Sequence, residues 1–268
     1  MSIRHYNPRR RRRGGISPNA RNFLYALVGL YILLQISYPL INGEALRIVT
    51  IATIYAGATA MIVHGHLSYG LKYSSRYVPT VFLFGLGIET LGVHTGWPFG
   101  TYKYDESLGL AIFDVPLVVP FAWLMMVHPA LIAARRVSTN WVFLYGGALL
   151  MAWDLFLDPL MVGAGRWTWE VPGAHVPFTP EVPLSNAFGW LLSGLVITGL
   201  VHLILPRDRR KESASLVAVD AILIWTLFGG FVGNLFFFDR PGLALFASLV
   251  LGAILTPYFF SSWLSNKD

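Results

Sequence analysis

Residues 140–162 read NWVFLYGGALLMAWDLFLDPLMV. The stretch is long enough to cross a bilayer, for which about 20 apolar residues are needed. Yet it carries two carboxylates, Asp154 and Asp158. A carboxylate near the bilayer centre costs about 2.5–3.5 kcal/mol on insertion scales, so such residues mark function. Spaced i and i+4, the two stack on one face of a helix, about 6 Å apart along its axis. Pro159 follows at once and is expected to bend or break the helix there, freeing backbone carbonyls. Three further acids lie inside or at the edge of apolar stretches: Glu89, Asp114 and Asp220.

Seven more stretches of spanning length flank this one. The full set runs over 22–41, 46–69, 77–95, 115–133, 140–162, 186–205, 214–237 and 241–263. The expected fold is therefore all-α, a polytopic integral membrane protein of about eight transmembrane helices. A basic arm over 1–21 precedes a single helical domain over 22–263, and a short tail covers 264–268. Composition agrees: 55% of the residues are hydrophobic and 13% charged, against about 25% charged in soluble domains. Cysteine is absent, which excludes a disulfide framework, a thiolate metal site and a thiol nucleophile. No internal repeat and no cleavable signal peptide is evident, since the first apolar stretch is too long for a signal core.

The basic residues set the expected orientation. With the N-terminus in the cytoplasm, Arg4, Arg9 to Arg13, Arg21, Lys72, Arg76, Arg135, Arg136, Arg207, Arg209, Arg210, Lys211 and Lys267 all fall on the cytoplasmic side. Only Arg47, Lys103, Arg166 and Arg240 fall on the other. This alternation fits eight spans with both termini cytoplasmic, and a multi-pass protein of the cell membrane. The run Arg9–Arg13 lies just before the first span. It reads as a topology signal with attraction to anionic lipid, so no nucleic-acid partner is expected from the net charge of +6.

In this topology the polar groups gather at one level. Glu89 and His94 lie in the outer half of the third span, Asp114 precedes the fourth, and Asp154 and Asp158 lie in the outer half of the fifth. Ser185 and Asn186 open the sixth. Two long loops on the same side, 96–114 and 163–185, are rich in Gly, Pro, Trp and Tyr. Trp97, Trp167 and Trp169 suit either interfacial anchors or the walls of a pocket for a flat apolar ligand. Low dielectric disfavours an ionised carboxylate, and a neighbouring carboxylate disfavours it further. A clustered carboxyl so placed keeps its proton and can serve as a general acid toward a very weak base such as an alkene. Aromatic faces stabilise the resulting cation.

Other uses of these residues are available. Intramembrane acids also pair with Arg or His, cap broken helices or relay protons in transporters. Asp220, near the cytoplasmic start of the seventh span, reads as structural. His64 and His66 are two apart and do not share a helix face. No His-x-x-x-His box is present, so no metal site is expected, and lone histidines such as His128 and His202 read as hydrogen-bonded packing residues. Gly85-Leu86-Gly87 reads as close helix packing.

Five blocks carry a resemblance: ETLGVHTGWPFGTYKY over 89–104, DVPLVVPFAW over 114–123, AWDLFLDPLM over 152–161, WTW over 167–169 and VPLSNAFGW over 182–190. Across residues 78–200 the chain resembles the CruF-type family of membrane carotenoid biosynthesis proteins, which includes carotenoid 1,2-hydratases. Phe178-Thr-Pro-Glu181 departs from the aromatic-Gly of that pattern. The resemblance implies a hydro-lyase that adds water across the terminal double bond of an acyclic ψ-end, without a cofactor. Asp154, Asp158 or Glu89 would donate the proton. His94 and Asp114 would position and deprotonate water. Trp97, Tyr102, Tyr104, Trp153, Trp190 and Asn186 would hold the end group. The implied partners are a long polyene and membrane lipid, with association with other carotenoid enzymes a further expectation. One rival is a lycopene-cyclase-like protein, whose Pro-Leu-Glu-Glu signature is here Pro116-Leu-Val-Val. Another is a transporter or a non-catalytic scaffold.

Overall fold

The computed structural model describes residues 15–207, 210–211 and 213–265. The arginine run at 9–13, Arg209 and the last residues of the tail lie outside the described residues. Eight long helices form the body: α1 Pro18–Ser37, α2 Gly43–Tyr69, α3 Leu71–Thr95, α4 Val118–Val137, α5 Val142–Gly163, α6 Leu184–Ile204, α7 Val217–Phe236 and α8 Pro241–Ser265. All eight are long and apolar enough to cross a membrane, so the protein is an all-α polytopic membrane protein. A 3₁₀ turn over Tyr38–Leu40 follows α1.

Burial ranks the helices. In α4 and α5, 83% and 67% of the most apolar window is enclosed, whereas no other helix exceeds 39%. These two therefore form the centre, and the rest surround them with one face turned outward. Close packing at the centre is made by small residues. A Cβ on Gly147 of α5 would lie 2.7 Å from the Leu195 backbone nitrogen of α6, and one on Gly194 would lie 2.8 Å from Gly147 Cα. Small residues at such crossings let helix backbones touch, which drives association where lipid removes the hydrophobic difference. Of the pair flagged in α3, only Gly85 packs in this way, against Trp123. Gly87 meets nothing within 4 Å.

Pro159 does not end α5, which runs on to Gly163. The Pro159 carbonyl accepts a hydrogen bond from Arg240, whose guanidinium also pairs with Glu181 at 3.0 Å. Arg240 thus ties the last turns of α5 to Glu181 in the second long loop.

The two long loops are ordered by short strands: β1 Tyr102–Tyr104, β2 Ala111–Ile112, β3 Val115–Pro116, β4 Trp167–Trp169, β5 His175–Val176 and β6 Thr179–Pro183. β1 pairs antiparallel with β4, Tyr102 opposite Trp169 and Tyr104 opposite Trp167. The period of two in a strand sends these four rings to one side, while Lys103 and Thr168 are exposed on the other. The pairing thus clasps two loops that are far apart in sequence and turns an aromatic face onto the end of the bundle.

Candidate active site

Under this aromatic face lie three buried carboxyl groups. Glu89 comes from α3, and Asp154 and Asp158 from adjacent turns of α5; each is less than 5% exposed. Tyr102 and Tyr104 donate to Glu89 Oε2 at 2.6 and 2.7 Å. The Trp123 indole N–H of α4 donates to Oε1 at 3.0 Å. Three donors converging on one group is the environment of an acceptor-only carboxylate. Burial, with the Glu89 carboxyl beside them, pushes the Tyr102 and Tyr104 phenols well above their ordinary range, so both stay protonated donors.

Asp154 and Asp158 are held differently. Their carboxyl groups converge on one shared donor, and carboxyl groups that close to each other resist ionising together, which favours a proton on one of them. The Asn186 side-chain N–H of α6 donates to Asp154 Oδ2 at 3.0 Å and also to Asp158 Oδ2. Asp154 Oδ1, Asn186 Oδ1 and the Trp169 indole N–H carry no protein partner. A pair of carboxyl groups held by one amide thus sits beside a carboxylate fixed by three donors.

Glu89, Asp158 and Asn186 border one small cavity of about 40 Å³, walled by Tyr102, Tyr104, Trp123, Trp167, Trp169 and Trp190 among others. A water needs roughly 10–15 Å³, so the cavity has room for one or more. Trp123 and Trp190 stack at 4.5 Å with an interplanar angle of 14°, and Tyr102 lies 4.5 Å from Trp169. Aromatic π-faces attract cations.

The structure divides the residues expected at the site. It brings together Glu89, Asp154, Asp158, Tyr102, Tyr104, Asn186 and Trp190. It leaves out His94 and Asp114, which form an exposed pair at 3.2 Å. His94 lies one turn beyond Glu89 and faces outward, its Nδ1 bonded to the Thr90 carbonyl. Asp114 sits in the tight turn between β2 and β3. Trp97 is 56% exposed and borders neither this cavity nor the larger one that Trp153 lines. Trp123 was not foreseen as a site residue. Its signal was Gly85, one helical turn before Glu89 on the same face, where a Cβ would strike the Trp123 ring at 2.8 Å.

Two of the other histidines, His64 and His128, meet in the core. His64 Nδ1 meets His128 Nε2 at 2.8 Å, the Tyr73 hydroxyl meets His128 Nδ1 at 2.8 Å, and His64 Nε2 meets the Ser215 carbonyl at 3.0 Å. Asp220 accepts from the Tyr258 hydroxyl at 2.5 Å. Among the described residues, no group of three or more His, Asp or Glu side chains could hold a metal ion.

Fold and site together define a class: a polytopic helical membrane protein with buried carboxyl groups under an aromatic cap. Residues 49–255 match the model of a family described as carotenoid biosynthesis protein, and the chain belongs to that family. It is 34% identical over 187 residues to a protein of Haloarcula japonica named bisanhydrobacterioruberin hydratase, a match covering 66% of this chain and 61% of that one. No solved structure matches the chain.

Proposed function

We propose that this protein is a carotenoid hydratase. It adds water across the terminal C1=C2 double bond of an acyclic ψ-end polyene and leaves a tertiary alcohol. The observation that carries this reading is the pairing of two carboxyl groups bridged by Asn186 with a carboxylate held by three donors around one aromatic cavity. The name of the Haloarcula japonica relative points the same way.

Asp158, which borders the cavity, gives its proton to C2, and the cation forms at C1. Asp154 positions Asp158 through the Asn186 amide from which both accept, and its nearness favours the protonated form of Asp158. The faces of Trp123 and Trp190 and the Glu89 carboxylate stabilise the cation. Water adds to C1 as a C–O bond forms, and Glu89 accepts the proton that water sheds. That proton returns to Asp158 through water in the cavity that both residues border, so the protein ends as it began. Preorganised donors keep Glu89 in place throughout. The basic residues at the opposite ends of the helices support a non-cytoplasmic position for this cavity.

The test is expression in a host that makes ψ-end polyenes, with mass analysis of the pigments. Wild type adds the mass of one water per reacting end. Asp158→Asn and Glu89→Gln lower turnover by about 10²–10⁴, the usual worth of a positioned acid or base. Asp154→Asn alters the pH profile as well as the rate. Near-full turnover in all three variants overturns the assignment, and products of unchanged mass point to cyclisation in place of hydration.

A further inference from the structure

A second cavity, of about 310 Å³, opens beside the small one. It lies between α1, the 3₁₀ turn, α2, α5 and the outer half of α7, and its walls are mostly apolar or aromatic, with Gln35, Asn234 and three threonines among them. Thr50, Ile54, Leu157 and Met161 border both cavities. Four other residues of its wall, Ile36, Leu40, Phe228 and Phe237, are between 47% and 70% exposed. They belong to α1, the turn after it, and α7 with its C-terminal edge. The cavity therefore opens sideways through the flank of the bundle, where an apolar surface faces lipid, and not upward through the clasped loops. Part of its wall, α1 and the turn, precedes residues 49–255 and lies outside the family match.

From this we infer that the larger cavity is a lateral cleft that receives the terminal segment of a long acyclic polyene from the bilayer and presents its end to Asp158 and Glu89. The inference rests on the hydratase reading for the identity of the occupant. Three features commit it to that occupant. The inner wall is shared with the carboxyl site, so whatever fills the cleft ends there. The mouth is apolar and is framed by two helices of spanning length, α1 and α7, which suits a hydrocarbon with no polar head. The volume lies at the small end of the roughly 300–1,000 Å³ of small-molecule sites, so only the end of a long chain enters and the rest stays in lipid. The Trp225 indole N–H donates to Gln35 Oε1 at 2.6 Å, tying α7 to α1 across the cleft, and this bond sets the width of the mouth.

The experiment uses the purified full chain in detergent with an acyclic ψ-end polyene as probe. A polyene held in an asymmetric site acquires circular dichroism in its visible band, which reports binding without turnover. Wild type shows this signal. Thr53→Phe and Leu160→Trp fill the cleft without touching the wall of the small cavity, and they weaken binding about tenfold or more. Glu89→Gln keeps the signal while losing turnover. Because the chain has no cysteine, Thr53→Cys supplies a gentler probe: the polyene slows its alkylation by a membrane-soluble maleimide. Unchanged binding in both filled variants, no dichroism with wild type, or alkylation indifferent to polyene each overturns the cleft. Binding that depends on the cleft with no hydration by wild type keeps the cleft and overturns the reaction.

Discussion

Asp114 and Phe113 carry φ values of 63° and 52° and form the two-residue turn between β2 and β3, with Ile112 paired to Val115. Positive φ at both positions is the type I′ geometry that suits Asp, Asn and Gly. The turn accounts for the acid at this position, and it points the side chain outward to His94. Asp114→Gly and His94→Ala are accordingly expected to keep turnover within about twofold, since an exposed pair contributes at most about 1 kcal/mol. Asp114→Val is expected to cost roughly 1–3 kcal/mol, because a β-branched residue resists this backbone. Thermal unfolding in detergent alongside a pigment assay checks both. Loss of activity in Asp114→Gly would return this residue to the chemistry. At this scale the intramembrane acids were legible in the sequence, since a carboxylate in an apolar helix has a cost that demands a use. The split between Glu89 and Asp114 was not, because it depends on one turn of backbone.

At the level of elements, the crossing of α5 and α6 sets the carboxyl dyad. Gly147 and Gly194 meet backbone to backbone. About two to three turns further toward the loop end of each helix lie Asp154 and Asp158 on one and Asn186 on the other. A methyl group on either glycine has nowhere to go, since the facing atoms are main chain. Gly147→Ala is expected to destabilise the protein by about 1–3 kcal/mol, as overpacking does, and to lower turnover by drawing Asn186 off the dyad. Detergent melting curves measured beside activity test this, and an unaffected melting point would mean the crossing adapts. The spans themselves were readable from apolar length. That α5 continues past Pro159 was not, because whether a spanning helix tolerates a proline depends on the groups packed around it.

For the whole molecule, the loop clasp and the lateral cleft divide the work. The β1–β4 pair closes the end of the bundle, and the flank between α1 and α7 stays open. Lys103 and Thr168 face each other on the outer side of the clasp. Opposed antiparallel residues lie about 4.5–5.5 Å apart at Cα, within the reach of a disulfide. The double variant Lys103→Cys, Thr168→Cys is therefore expected to cross-link under oxidation and to keep its turnover, since the polyene arrives from the side. Abolished activity on oxidation, restored by reductant, would show that the clasp must open.

Apolar lengths, their acids and the basic loops between them determined by themselves that this chain is a polytopic helical membrane protein with buried carboxyl groups. Those features follow from local composition and from the cost of charge in hydrocarbon, which act on each segment alone. Only the tertiary structure decided which acids meet, which aromatic rings cover them and where the flank opens. Those outcomes depend on contacts between residues far apart in the chain, such as Tyr104 with Glu89 and Tyr102 with Trp169, and no local pattern records them.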